Sequence, residues 1–305
     1  MGYKTDDKVF STAQMLAWVG SFAEQMGVSP EKIKFINTCN RKKNVSPTIE
    51  THKRVMIFVD EDRKDLLYEL WEAGYGDLEV WYATGLEVND AVKKAKLQTI
   101  MNYEITGPTV IYILNENTRE ASRFGIKNEF FSRGKVHYVG HEIRAVIMSM
   151  LACDVQDTIC IVSGESIVIE AAIAASDGTI IAVEPDKGSM DAMYDNVAKF
   201  GVHNVEIVGD LEQDTLSKLP VPRLAFIVAT QHVEDDIAKL KKINPDMQFI
   251  IYTLELNIMC EIKHIFERQH LDLAEMFQIS VSRLTKDSTF VAQPTPWLIR
   301  GEPVR

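Results

Sequence analysis

A chain of 305 residues, with 46% hydrophobic and 25% charged residues, is long enough for two globular domains with separate cores. Its formal net charge of −11 argues against nucleic-acid binding, because neutralising phosphates needs a basic patch and only the short run Arg41–Lys43 is basic. The sequence has no signal-peptide run, no membrane-length apolar stretch and no C-x-x-C pair, so we expect a reduced, soluble, cytoplasmic protein.

The first 115 residues alternate between helical and strand patterns. Ser11 can cap a helix from Thr12 to Gln25 that ends at Gly27. The predicted strands are Ile33–Ile36, Val55–Val59, Leu78–Tyr82 and Thr109–Leu114, and the other helices carry Leu66, Leu67 and Leu70 up to Gly74 and cover about Val88–Ile100. We therefore predict a smaller α/β domain over residues 1–115, followed by a polar linker at 116–137.

From residue 138 onward the alternation is more regular, and it opens with a helix at His141–Leu151. The predicted strands are Thr158–Val162, Thr179–Glu184, Val205–Ile207, Leu224–Val228 and Gln248–Thr253, separated by helices at Ser166–Ala175, Ser189–Phe200, Leu211–Leu219 and Val233–Lys242. A helix at Asn257–Gln269 then leads to two late strands, Leu273–Val281 and Phe290–Ile299. Strand–helix units that end in an antiparallel hairpin predict a doubly wound, Rossmann-like sheet.

Several motifs of this second region occur together in one enzyme family. They are His141-Glu142-Ile143-Arg144-Ala145, the helix Ser166–Ala172, Val183-Glu184-Pro185-Asp186, the stretch Gly201–Asp210 and Thr253-Leu254-Glu255. In this combination the chain resembles the precorrin-6Y C5,15-methyltransferase (decarboxylating), or precorrin-6B methylase, family of cobalamin biosynthesis. The resemblance implies a class I methyltransferase domain over 138–305, S-adenosylmethionine as cofactor, and C15 methylation with decarboxylation of a tetrapyrrole-like substrate.

The first region fits the same family. Phe22–Val28, Asn40-Arg41 and the strand at Val55 with Asp60 resemble the second half of the family's other module, a tetrapyrrole-methylase domain. The glycine-rich amino half of that module has no counterpart in the sequence, so we do not expect C5 methylation by this chain alone. The isolated class I modules of the family tend to assemble as homo-oligomers, and the apolar strand edges here would allow the same.

The cofactor loop departs from the family pattern. The family writes it as Asp-x-Gly-x-Gly-x-Gly, whereas this chain has Ile159 at the aspartate position and Ile161, Ser163 and Glu165 at the glycine positions. Gly164 can replace one glycine after a one-residue shift, so the resemblance implies cofactor contacts from Ser163 and Gly164. Glu165 would place a carboxylate near the carboxylate of the cofactor, and the two would repel each other.

Two further acids match cofactor-binding positions. Glu184, at the end of the second strand, can accept hydrogen bonds from both ribose hydroxyls; the alternative is a solvated acid at a strand end. Asp210 can accept from the adenine amino group; the alternative is an N-cap for the helix from Leu211 onward.

Substrate contacts are implied at three places. Glu142 and Arg144 match the helix before the loop, with a pair of solvated helix charges as the alternative. Ala229 and Thr230, with Val228, replace a Gly-Gly turn that faces the substrate in the family, and Thr253 begins the matched turn after the fifth strand. His137 and His141 lie four residues apart without a third ligand at metal spacing, so we predict no metal site.

Three functions remain open on the sequence alone. The first is the corrinoid methyltransferase, which the retained Glu184, Asp210 and Thr253 favour. The second is a catalytically degenerate binding or scaffold homologue, and the third is a methyltransferase-fold enzyme with a different small-molecule substrate. The altered loop from Ile161 to Glu165 favours the second and third.

Overall fold

The computed structural model describes residues 10–39, 44–88, 91–118, 124–134 and 139–304. The chain divides into two compact units: Met1–Ala121 with Lys199–His203, and Ser122–Ala198 with Asn204–Arg305. No helix in the described part of the chain combines the length and apolarity that a membrane span requires. Asn40-Arg41 and the basic run at Arg41–Lys43 lie outside the described residues.

The first unit is a five-stranded sheet with helices on both faces. Its strands are β1 (Lys34–Asn37), β2 (Arg54–Val59), β3 (Glu79–Thr84), β4 (Lys93–Lys96) and β5 (Thr109–Leu114), in the order β1-β2-β5-β3-β4. Its helices are α1 (Thr12–Met26), α2 (Ser46–Thr51), α3 (Leu66–Leu70) and α4 (Leu97–Ile100). β1 and β2 are parallel, and the other three pairings are antiparallel.

Local sequence explains the main elements of this unit. Ser11 and Gln14 form a reciprocal capping box at the start of α1, and Gly27 ends the helix in the left-handed conformation at φ 61°. Alternate residues of β2 point into two apolar clusters on opposite faces of the sheet, with Ile57 in one cluster and Phe58 in the other. The continuous apolar run at Val55–Val59 is therefore buried on both faces of the sheet, as predicted.

The helix predicted near Val88–Ile100 is wrong. Residues Lys93–Lys96 form an edge strand that pairs antiparallel with β3, and of the described residues in this range only Leu97–Ile100 is helical. Lys94 forms an ion pair with Glu79 and lies 4.6 Å from the ring centroid of Trp81. These contacts across the strand pair hold a segment whose composition favours a helix.

The second unit has a seven-stranded sheet and a separate two-stranded one. Its strands are β6 (Thr158–Val162), β7 (Thr179–Val183), β8 (Val205–Val208), β9 (Leu224–Val228), β10 (Gln248–Thr253), β11 (Leu271–Gln278), β12 (Ser282–Leu284), β13 (Phe290–Ala292) and β14 (Trp297–Pro303). Its helices are α5 (His141–Leu151), α6 (Glu165–Ala174), α7 (Lys187–Phe200), α8 (Gln213–Leu216), α9 (Val233–Ile243) and α10 (Leu256–Arg268).

Strand order gives the larger sheet its doubly wound topology. The order is β11-β14-β10-β9-β6-β7-β8; β8, β7, β6, β9 and β10 run parallel, and β14 and β11 pair antiparallel. This is the Rossmann-like sheet with a terminal antiparallel hairpin that the sequence predicted. The order reverses direction on either side of β6, so a crevice opens at the carboxyl ends of β6 and β9.

The prediction of one continuous strand at Phe290–Ile299 is wrong, because two separate strands cover this range. Phe290–Ala292 belongs to the small β12–β13 hairpin, whereas β14 begins only at Trp297. Pro294 and Pro296 lie between them, and proline cannot donate the ladder hydrogen bonds that a continuous strand needs.

Candidate functional site

A cleft of about 440 Å³ opens at the carboxyl edge of the parallel strands in the second unit. The ends of β6, β7 and β9 contribute Val162, Ser163, Val183 and Val228 to its wall. The turns after β7 and β8 add Pro185, Gly209 and Asp210, and α9 closes the other side. The cleft therefore lies at the switch point of the sheet, where doubly wound folds bind their ligands.

The turn from β6 into α6 replaces a glycine-rich loop with an unusual backbone. Ser163, and not a glycine, adopts the left-handed conformation at φ 55°, and its N–H donates to the Val183 carbonyl at 3.0 Å. Gly164 has an ordinary φ of −124°, but a Cβ there would lie 2.6 Å from Ile161 Cγ2. Gly164 is thus required for packing against the sheet, while Ser163 makes the turn at a cost in backbone strain.

Two buried carboxyl groups flank this turn. Glu184, only 1% exposed, accepts a hydrogen bond from the Asp186 N–H on Oε1 at 2.9 Å, and Glu165, 6% exposed, accepts from the Gly134 N–H on Oε2 at 3.3 Å. Within the described residues, neither Glu184 Oε2 nor Glu165 Oε1 has a hydrogen-bond partner. A buried acceptor without a donor is costly, so Glu184 Oε2, between the cleft-lining Val183 and Pro185, is suited to a ligand that brings hydrogen-bond donors.

The electrostatics of the two acids are coupled. Burial raises the pKa of Glu184, and the negative charges of Glu165 and Asp186 raise it further. Burial also raises the pKa of Glu165, against the lowering effect of hydrogen bonds from the Ser189 hydroxyl and the Gly134 N–H. A positive charge or hydroxyl donors in this region would relieve the strain of holding two carboxylates together.

Asp210 lies on the exposed lip of the cleft. Its Oδ1 accepts from the Glu212 N–H at 3.0 Å and from the Thr215 hydroxyl at 3.1 Å. Both bonds end on one oxygen and organise the turn that precedes α8, whose own N-cap is Glu212. Asp210 is therefore not the N-cap of α8, and it lines the cleft.

The turns after β9 and β10 hold the other sequence-predicted contacts. Thr230 is exposed and lines the cleft, but Ala229 is buried and donates its N–H to the Tyr252 carbonyl. Thr253 is buried, and its hydroxyl accepts from the Glu255 N–H at 3.0 Å. Of these three residues, the structure brings only Thr230 to the cleft surface.

Glu142 and Arg144 do not form a pair of solvated helix charges. Glu142 accepts from Arg283 Nε of the β12–β13 hairpin at 2.8 Å. Arg144 is fully buried, and its Nε donates to Glu170 Oε1 at 2.5 Å. The remaining bonds of Arg144 go to Asn128 and to the carbonyls of Val139 and Ile126, so its side chain has no surface left with which to contact a substrate.

The sequence reasoning missed the α9 wall of the cleft. It comprises His232, Asp235, Asp236, Ala238, Lys239 and Lys242. Burial raises the pKa of Asp236, and Lys239 is paired with Glu212 at 2.8 Å. The first turn of α9 carries three consecutive acids in the helix that follows β9, and that run could have marked the wall.

Metal-ligand geometry is not found in the part of the chain that the structure describes. His137 lies outside the described residues. His141 contacts Arg283 and Glu142, and burial lowers its pKa.

Comparison with known proteins places this architecture in a family. The model of the precorrin methyltransferase domain matches residues 130–293. A probable cobalt-precorrin-6B C(15)-methyltransferase (decarboxylating) of Methanocaldococcus jannaschii is 27% identical over 177 residues, covering 57% of this chain and 94% of that protein. The protein of the same name from Methanococcus vannielii is 28% identical over 155 residues, covering 51% and 84%.

A solved structure agrees with the topology. The structure described as precorrin-6Y C5,15-methyltransferase from Geobacter metallireducens superimposes with a TM-score of 0.55 at 21% identity, covering 60% of this chain and 98% of that one. At this identity the similarity bears on the fold alone. The family match spans more than half of the sequence, and the chain belongs to the precorrin methyltransferase domain family.

Proposed function

We propose that this chain is an S-adenosylmethionine-dependent methyltransferase of the precorrin-6B type, which methylates C15 of a tetrapyrrole in cobalamin biosynthesis and removes a carboxyl group. The observation that carries the proposal is Glu184, a buried acid at the end of β7 whose Oε2 has no partner among the described residues. Flanking residues Val183 and Pro185 line the cleft. The names of the two archaeal relatives support the choice of reaction.

The residues of the cleft fit such a cofactor. The partnerless Oε2 of Glu184 suits a ribose hydroxyl, and Asp210 on the lip suits the adenine amino group. Ser163 and Gly164 would present main chain to the amino-acid end of the cofactor. S-adenosylmethionine supplies an electrophilic methyl group on a sulfonium centre.

The chain's own contribution would be orientation and charge. Asp210, Asp235 and Asp236 line the cleft together with Lys239 and Lys242, so its wall keeps a small excess of negative charge that favours a positively charged ligand. Thr230 is placed to contact the substrate at the open side, while Ala229 and Thr253 hold the turns beside it. Methyl transfer needs alignment more than acid–base catalysis. Loss of the carboxyl as CO₂ leaves its electron pair on the conjugated macrocycle, and a proton from water takes its place.

Isothermal calorimetry with S-adenosylmethionine tests the proposal. We expect micromolar binding to the full chain and a loss of about 10- to 100-fold in Glu184→Ala, which removes hydrogen bonds to a charged acceptor. Glu302→Ala is the matched control, because Glu302 is paired with Arg300 on β14, four strands away from β7 in the sheet order. Absence of binding by the wild-type protein up to millimolar ligand would overturn the proposal.

A second candidate is a homologue that binds the nucleoside without turnover. Glu165 favours it, because a buried carboxylate stands where the family has glycine. A methylation assay on the precorrin substrate separates the two: tight binding with no methylated product would select the second candidate. Under either candidate we propose a homo-oligomer, since Leu284, Phe290 and Val291 of the β12–β13 hairpin are exposed apolar side chains. We also propose that the domain boundary lies within residues 116–137.

A further inference from the structure

A series of hydrogen bonds connects the carboxyl of Glu184 to the first turn of α7. The backbone of Glu184 is fixed by its N–H bond to the Val208 carbonyl at 2.9 Å, and the Asp186 N–H holds its Oε1 at 2.9 Å. Asp186 in turn accepts from the Ser189 N–H on Oδ2 at 2.9 Å and so caps the start of α7. The direction of the Glu184 carboxyl therefore depends on where α7 begins.

Glu165 connects that first turn of α7 to α6. The hydroxyl of Ser189, which is fully buried, donates to the Glu165 carboxyl, and Gly134 donates its N–H to Glu165 Oε2 at 3.3 Å. The three residues are in close contact, because a Cβ added to Gly134 would lie 2.3 Å from Glu165 Oε1 and 2.9 Å from Ser189 Oγ. Glu165 therefore lies between the first turns of α6 and α7, beneath Gly134.

The segment that ends at Gly134 is held by both helices. Two of its N–H groups donate to Glu170 of α6, both at 2.9 Å. Ser132 exchanges two hydrogen bonds with the fully buried Asn196 of α7, from its N–H at 2.7 Å and to its carbonyl at 3.0 Å. The contact between Gly134 and Glu165 is thus the third attachment of a segment that is already bonded to α6 and α7.

We propose that Glu165 and Ser189 are positioning residues, which hold the Glu184 carboxyl so that its Oε2 is open to the ribose hydroxyls of the donor. The inference rests on the proposed function, because it concerns the orientation of the same acid. Glu165 acts through Ser189 and Asp186, without contact to the ligand. A glycine at position 165, as in the family pattern, has no side chain with which to bond α7 and could not make this connection.

Calorimetry of the full chain with two nucleosides tests the inference. S-adenosylhomocysteine carries both ribose hydroxyls and its 2′,3′-dideoxy form carries neither, so the ratio of their Kd values measures the hydrogen bonds to Glu184. We expect the wild-type chain to prefer S-adenosylhomocysteine at least about tenfold, the value of one hydrogen bond to a charged group. Glu184→Ala should reduce this ribose preference to below about twofold.

Variants at both positioning residues assign the effect to them. Glu165→Ala and Ser189→Ala each remove one end of the bond between α6 and α7. Each should lower the ribose preference at least about threefold, while the dideoxy form binds as it does to the wild type. Glu165→Gln keeps an acceptor for the Ser189 hydroxyl and should stay within about twofold of the wild-type preference. Glu302→Ala, on β14, is the matched control and should keep the preference as well.

A double variant separates positioning from a general loss of stability. In the Glu184→Ala background no ribose acceptor is left to orient, so adding Ser189→Ala should change the affinity for S-adenosylhomocysteine by less than about twofold. A residue that only stabilises the fold would lower the affinity by the same factor in both backgrounds. Ser189→Ala removes a single hydroxyl, so the test stands without Glu165→Ala if that variant fails to fold.

The inference and the proposed function fail on different results. If Glu184→Ala abolishes the ribose preference but neither Glu165→Ala nor Ser189→Ala lowers it, the inference is wrong and the proposed function stands. The inference is also wrong if Glu165→Gln loses as much preference as Glu165→Ala. If the wild-type chain binds neither nucleoside, or binds both equally, the proposed contact of Glu184 with the ribose fails and takes the inference with it.

Discussion

Replacing Arg144 by methionine tests whether this residue is structural or binds substrate. The guanidinium donates to Glu170 Oε1 at 2.5 Å, to Asn128 Oδ1 at 3.2 Å, and to the carbonyls of Val139, at 3.1 Å, and Ile126. Methionine approximates the length of the side chain but supplies none of these donors. Glu170 would then remain as a fully buried carboxylate without its countercharge.

The size of the effect follows from that burial. Removing one partner of a buried ion pair costs about 3–5 kcal/mol, because the other charge stays desolvated. In a unit of about 150–250 residues, each kcal/mol lowers the melting temperature by about 2–4 °C, so we expect a loss of about 6–20 °C. Replacing Glu170 as well would not restore the wild-type value, since Glu170 also accepts from the N–H groups of Gly125 and Ile126.

Scanning calorimetry of the full chain measures this, and the structure offers a matched control. Arg283→Met breaks the partly exposed pair with Glu142, two residues from Arg144, and should cost no more than about 1 kcal/mol. If Arg144→Met melts within about 2 °C of the wild type and instead abolishes substrate binding, the structural assignment is refuted. The motif-based prediction of a substrate contact would then be correct.

Two further predictions concern the turn between β6 and α6 and the buried acid Glu184. Gly164→Ala should lose about 1–3 kcal/mol, because its Cβ would lie 2.6 Å from Ile161 Cγ2, whereas Ser163→Gly should gain about 1 kcal/mol by relieving φ 55°. Calorimetric shifts of the same sign in both variants would contradict this account of the turn. Glu184→Gln should melt above the wild type at pH 7 and not at pH 4. A folded-state pKa raised by burial means that stability is lost as pH rises above the unfolded value of about 4.3. If the difference in melting temperature between Glu184→Gln and the wild type is the same at pH 4 and pH 7, ionisation of Glu184 does not destabilise the fold.

The central parallel strands of the second unit were predictable because each contains a continuous apolar run. β6, β9 and β10 have the bounds expected from sequence, since a polar residue stands at the start of each strand or directly before it. A strand that is buried on both faces needs apolar residues at every position, and such a run is recognisable in the sequence before the fold is known. The edge strand β4 lacks it, because the sequence Lys93–Lys96 owes its conformation to β3.

The site was predictable only where chain position alone fixes a side chain. Glu184 directly follows a buried strand at the ligand edge of the sheet, so its placement followed from topology. The burial of Arg144 depends on Glu170, 26 positions later, and Glu165 accepts a hydrogen bond from Gly134, 31 positions earlier. Neither pairing produces a periodic pattern in the sequence, so neither could be predicted from it.

The cofactor loop shows why a missing motif is weak evidence for a missing site. In a glycine-rich loop, glycine allows positive φ, close packing and room for a ligand. Here the first demand is met by Ser163 at φ 55° and the second by Gly164, so the backbone still makes the turn. The third position holds Glu165, whose buried carboxyl lies at the amino end of α6. Two of the three roles of glycine are therefore still filled, and a measurement of nucleoside binding decides the function of the loop better than the number of glycines does.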